Sequence, residues 1–201
     1  MLRKCQLISL FFCLAAFAPQ AMVPTETRAG WDEAKASYEK GDYLKAYEEF
    51  KVLAEQGNAD AQWNLGVMFA NGQGVQKDYV EAVKWTGKAA EQGVADAQYN
   101  LGVMYYNGTG VPQDYTEAVK WFRRAAEQGV AEAQYDLGVM YYNGTGMPED
   151  FVQAHVCFNL AAAQGNEEAV AGRDSVARRM TASQIAEAQR IAEGWKPKSQ
   201  R

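Results

Sequence analysis

The sequence predicts an all-α protein, a solenoid of stacked antiparallel helix pairs capped at both ends, and three observations carry that prediction. A 36-residue unit is written three times without insertion, at residues 58–93, 94–129 and 130–165. A fixed period of this length signals stacked supersecondary units rather than a globular domain. Inside each copy the apolar residues recur at helical spacing, and helix-stopping and helix-starting residues fall at identical offsets.

The elements follow in chain order. Residues 1–21 open with Arg3 and Lys4, continue as an apolar run from Leu7 to Ala18, and end in Pro19 and small residues. That composition reads as a secretory signal peptide, with cleavage after Ala18 or near Ala21, and the run is short for a spanning helix, which needs ~20 apolar residues. An uncleaved N-terminal anchor is the other reading. Residues 22–30 are polar and aperiodic and read as a flexible leader. Residues 31–57 form a first, shorter unit: Asp42, Tyr43, Ala46 and the Ala54-Glu55-Gln56-Gly57 ending stand 36 places before their counterparts, around a tight Gly41-Asp42 corner.

In each full repeat the first helix carries an apolar stripe at i, i+4, i+7 and i+8: Ala61, Leu65, Met68 and Phe69, then Ala97, Leu101, Met104 and Tyr105, then Ala133, Leu137, Met140 and Tyr141. Asn71-Gly72, Asn107-Gly108 and Asn143-Gly144 stop it, and a second glycine (Gly74, Gly110, Gly146) lets the chain double back. Asp78-x-x-Glu81, Asp114-x-x-Glu117 and Asp150-x-x-Gln153 open the second helix in the spacing of a capping box. Ala82, Trp85 and Ala89, repeated as Ala118, Trp121 and Ala125, face inward, and Gly93, Gly129 and Gly165 close the units. Beyond Gly165 the pattern decays: Arg173 stands where a core leucine is due. Residues 166–195, with a Thr181-x-x-Gln184 capping box, therefore read as C-terminal capping helices whose outer face is solvated. Residues 196–201, after the final helix, read as a frayed tail.

The consensus A-[DE]-A-Q-[WY]-[ND]-L-G-V-M-[FY]-x-N-G-x-G-[VM]-x-x-D-[YF], closing on A-A-[EA]-Q-G, resembles the Sel-one-like repeat, a longer relative of the tetratricopeptide repeat. The resemblance spans roughly residues 31–195. It implies a right-handed α-solenoid used as a scaffold or adaptor, and an architecture shared more widely than any one role. Some exported members of that family carry a disulfide in every repeat. Here Cys5 and Cys13 lie in the leading segment and Cys157 stands alone, so nothing tied to the cysteine-rich branch transfers.

Charge and motifs narrow the function. The formal net charge is −5, or −7 without residues 1–21, whose charged residues are Arg3 and Lys4. No basic run marks a nucleic-acid partner. No nucleophile elbow, phosphate loop or metal-ligand spacing appears, so no catalytic residue, metal or cofactor is expected. His155, the one histidine, reads as a surface or satisfied residue, and Cys157, in the place of Trp85 and Trp121, as a small buried one.

What remains is the inner wall. In tetratricopeptide-like arrays the first helix of each pair lines the concave face. That register sends Asp60, Trp63, Asn64, Val67, Ala70 and Asn71 into the groove. Asp96, Tyr99, Asn100, Val103, Tyr106 and Asn107 follow, and then Glu132, Tyr135, Asp136, Val139, Tyr142 and Asn143. Rings, carboxamides and carboxylates together suit an extended peptide of polar or basic character. The same acids would favour first helical turns without any ligand, and the rings could pack on the neighbouring unit. The expected role is an exported, non-catalytic scaffold, periplasmic or secreted and without membrane insertion after cleavage. The alternatives are a hydrolase of cell-wall material or a small substrate, and a structural spacer.

Overall fold

The computed structural model describes residues 25–198, which form ten helices and no strand. These are α1 (Thr25–Glu39), α2 (Tyr43–Glu55), α3 (Ala59–Asn71), α4 (Tyr79–Glu91), α5 (Ala95–Asn107), α6 (Tyr115–Gln128), α7 (Ala131–Asn143), α8 (Phe151–Ala163), α9 (Glu167–Ala177) and α10 (Ala182–Glu193). The first eight pair as antiparallel hairpins, and each second helix also packs on the first helix of the next pair. The expected signal segment, residues 1–21, lies outside the described residues. Among those described, no helix is long and apolar enough to cross a membrane. Helix α1 begins at Thr25, inside the stretch expected to be a leader. The helical period of Trp31, Ala34 and Tyr38 propagates upstream, because extending a nucleated helix costs little.

Capping follows the sequence with one correction. Asn58 accepts from the Ala61 amide, Asp78 from Val80 and Glu81, Asp114 from Thr116 and Glu117, and Asp150 from Gln153. Among the described residues a reciprocal capping box forms only at Thr181 and Gln184. Glu81 and Glu117 turn outward instead to Lys84 and Lys120, at 2.9 and 3.0 Å. Such exposed pairs contribute roughly 0–1 kcal/mol. Val94 and Val130 cap α5 and α7 without a side-chain acceptor, and pack into the apolar layers.

The core is a run of layers, one between each pair of hairpins, built on fully buried alanines (Ala61, Ala82, Ala97, Ala118, Ala133, Ala154) that let helices approach closely. Two polar devices tie the layers. Buried Gln62, Gln98 and Gln134 each donate to a last-turn carbonyl of the preceding hairpin (Ala54, Ala90, Ala126) at 3.0–3.2 Å. Their own amide oxygens accept from Gln92, Gln128 and Gln164 at 2.7–2.8 Å. This ladder explains why the consensus carries one glutamine near each end. The second device is backbone proximity. A Cβ on Gly74, Gly110 or Gly146 would lie 2.0, 2.2 or 2.5 Å from the carbonyl oxygen of Tyr43, Tyr79 or Tyr115 in the preceding repeat. Those glycines are therefore contact points between repeats as well as turn residues.

At the C-terminal end α9 continues the stack, while α10 lies across α8. Helix α8 carries Val156, which is buried, and Leu160, which is half-buried, where earlier repeats carry Lys84 and Lys88 or Lys120 and Arg124. Ala188 of α10 is fully buried, and Ile185 and Ile191 partly. The chain then folds back. Trp195 and Pro197 lie against Gly129, and Lys198 pairs with Glu127, so the expected frayed tail is held as far as residue 198.

Cys157 is buried, and burial pushes its thiol up to about 12. The expectation for His155 is corrected: it is 3% exposed, in the position of Val83 and Val119, and its Nδ1 has no hydrogen-bond partner among the described residues. Burial, and then the charge of Arg173, hold its pKa below the ordinary value, with Asp174 opposing.

Candidate interaction groove

Three clefts open along one face, spaced by one repeat. The first, about 250 Å³, lies between α3 and α5 and is lined by Trp63, Gly66, Val67, Ala70, Asn71, Asn100 and Met104, with Thr86 of α4. The second, about 260 Å³, lies between α5 and α7. Tyr99, Val103, Tyr106 and Asn107 form one wall, Asp136, Val139 and Met140 the other, and Phe122 of α6 also lines it. The third, about 370 Å³, lies between α7 and α9, with Tyr135, Val139 and Tyr142 facing Glu168, Ala171, Gly172 and Ser175 beside Phe158.

The rings are shared between packing and cleft. Tyr99 and Tyr135 are half-buried, their ring centroids 5.7 and 5.8 Å from Phe122 and Phe158. Trp63 packs on the layer holding Leu101 and Trp121 while also lining the first cleft. Tyr106 is exposed and meets Tyr115 edge-on, and Tyr142 lies 5.9 Å from Phe151. Of the other groove residues expected from the sequence, Asn71, Asn100, Asn107 and Asp136 line clefts. Asp60, Asp96 and Glu132 are exposed in the first turns of their helices, Asn143 is exposed at the end of α7, and Asn64 is half-buried. Three carboxamides are already engaged: Asn64 and Asn100 donate to the Asp60 and Asp96 carbonyls at 2.8 and 3.0 Å, and Asn71 to the Gln73 side chain at 3.3 Å.

Sequence reasoning missed the residues that follow Trp85, Trp121 and Cys157. A Cβ on Gly66, Gly102 or Gly138 would lie 2.4 Å from the Thr86 hydroxyl, 2.6 Å from the Phe122 ring or 2.9 Å from the Phe158 ring. The Leu-Gly glycine thus seats that side chain against the first helix. The signal was present as a phenylalanine 20 places after the glycine in two of the three repeats. With Thr86 in that place the first cleft lacks a phenyl floor.

Electrostatically the face is acidic. Tyr99 and Asp136 line the second cleft from the two sides of the repeat boundary. Burial, then the charge of Asp136, pushes the phenol up to about 12. Burial also raises Asp136, the Tyr99 hydroxyl opposes that, and Glu132 adds to it. At the far end Arg179, and then Ser175, hold the Tyr142 phenol below the usual value. Neither His155 nor Cys157 lines any of the three clefts, and among the described residues no group of His, Cys, Asp and Glu could hold a metal.

The repeats match the Sel1 repeat at residues 59–94, 95–130 and 131–166, more than half of the chain. The chain belongs to the Sel1 repeat family. A Sel1 repeat protein from Oxalobacter formigenes has a similar crystal structure, with 36% identity over 70% of this chain and 58% of that one, at a TM-score of 0.67. A second is c5321, a protective antigen present in uropathogenic Escherichia coli strains. It is 30% identical over 83% of this chain and 44% of its own, at a TM-score of 0.58. The chain thus spans about half the length of these Sel1 relatives. No curated protein matches it.

Proposed function

We propose that the protein is an exported, non-catalytic scaffold of the cell envelope, which holds an extended segment of another protein along the face of α3, α5, α7 and α9. The observation that supports this most is the row of clefts recurring once per repeat, each with apolar walls and polar atoms at its edge. Helices packed side by side lie about 8–10 Å apart, and an extended chain covers about 3.3–3.6 Å per residue. Side chains about three residues apart would therefore reach successive clefts, the geometry of a peptide laid across a ridged surface. The acids Asp60, Asp96, Glu132 and Asp136 on the same helices favour a segment with basic residues. Family membership supports the scaffold reading, because a stack of helix pairs offers a long surface and little to perform a reaction.

The test is affinity capture from an envelope extract, with captured proteins quantified. Tyr106→Ala combined with Tyr142→Ala should lower recovery at least fivefold while helix content is kept. Lys84→Ala with Lys120→Ala, on the second helices, should change it little. Equal recovery by all three proteins would remove the groove from the account.

A further inference from the structure

We propose that the second cleft, between α5 and α7, recognises a lysine or arginine side chain of the bound segment, with Asp136 as its counter-charge. The proposal rests on the groove reading above and assigns one cleft within it.

Asp136 occupies the repeat position held by Asn64 and Asn100. Those carboxamides spend a proton on the carbonyl one turn back, at 2.8 and 3.0 Å. An ionised carboxylate has no proton to give, so Asp136 cannot make that bond, and it lines the cleft opposite Tyr99. The carboxylate offers about four acceptor positions to a donor entering the cleft. Among the described residues no ion pair engages Asp136 or Glu132. A carboxylate half-withdrawn from water with no cation beside it is under-compensated, which is why its proton affinity is raised. A ligand cation entering the cleft would restore the missing counter-charge.

The walls suit the same guest. Tyr99, Tyr106 and Phe122 present rings, and Val139 an apolar surface, within a space of about 260 Å³. A Lys or Arg side chain can lay its aliphatic stem on apolar surface and its charged head beside rings and a carboxylate. The neighbouring clefts lack this combination. The first has Asn100 in place of the acid, and the acid of the third, Glu168, is exposed.

The proposal is tested with blocked pentapeptides, acetyl-Ala-Ala-X-Ala-Ala-amide, where X is arginine, lysine, norleucine or glutamate. Binding to the purified protein is followed by amide chemical-shift titration. Cation–π contact and charge compensation at a partly desolvated site together predict at least a tenfold preference for arginine and lysine over norleucine, with shifts centred on residues 99–107 and 136–140. Asp136→Asn, which installs the residue the other repeats use, should remove the preference and leave the norleucine peptide unchanged. Equal binding of arginine and norleucine peptides to the unaltered protein would overturn the cation pocket and leave the groove standing. No shift with any peptide would overturn both. A preference that survives Asp136→Asn would move the counter-charge elsewhere and sink this assignment.

Discussion

Replacing Gly110 by alanine separates two roles that a glycine can play. Gly110 has φ 74°, and a Cβ there would lie 2.2 Å from the Tyr79 carbonyl oxygen of the preceding repeat. Gly93 has φ 96° with nothing within 4 Å, and Gly87, inside α4, has open space and no positive φ. The left-handed conformation costs an alanine roughly 1–2 kcal/mol. Forcing an atom into a filled contact adds about 1–3 kcal/mol. Gly93→Ala should therefore cost about 1–2 kcal/mol, and Gly110→Ala about 2–5 kcal/mol. Gly87→Ala should stabilise by about 0.5–1 kcal/mol, because alanine loses less backbone entropy than glycine in a helix. Urea unfolding followed by circular dichroism at 222 nm measures all three. Each kcal/mol should also appear as about 2–4 °C in Tm for a chain of this size. Because Gly110 lies where two repeats meet, its variant should broaden the transition as well as shift it. If Gly110→Ala proved no more costly than Gly93→Ala, the glycine would be a turn residue only, and the inter-repeat contact would have no energetic standing.

Two further outcomes follow from buried polar groups. Gln98→Leu leaves the Ala90 carbonyl without its side-chain donor and the Gln128 amide without its Gln98 acceptor, and should cost about 1–3 kcal/mol in the same urea assay. A cost below a few tenths would make the ladder ornamental. His155 is neutral in the fold, its pKa held below the unfolded value by burial and by Arg173, so the unfolded chain takes up the proton first. Its contribution is complete above the unfolded pKa of about 6.5 and is lost as pH falls through the folded one. Stability should drop more between pH 7.5 and 5 in the native protein than in His155→Val, the residue that Val119 supplies one repeat earlier. Parallel pH profiles for the two would show that His155 does not titrate on unfolding.

The helices, their order and their ends were legible because each depends on residues within a few places of one another. Ala61, Leu65 and Met68 mark a face, Asp78 starts a helix, and the glycine after Asn71 ends one, three times over. The cleft residues Trp63, Tyr99, Asn107 and Tyr142 were legible for the same reason, since register fixes which side of a helix they occupy. Legibility stopped at contacts between distant residues. Nothing local marks α8 as the helix that α10 lies across, beyond the loss at Val156 and Leu160 of the basic residues that other repeats carry. His155 looked like a surface residue because its neighbours from α9 lie 18 and 19 places away.

The sequence by itself therefore determined a stack of paired helices and the face each helix turns to its neighbours, since periodicity and caps are short-range information repeated until unambiguous. Only the tertiary structure decided which glycines are contacts, which carboxylate lacks a cation, and where the last helix lies. Those depend on distances between residues 20 or more places apart, as between Gly102 and Phe122, Gly110 and Tyr79 or Tyr99 and Asp136, and such distances exist only once the helices pair and the repeats stack.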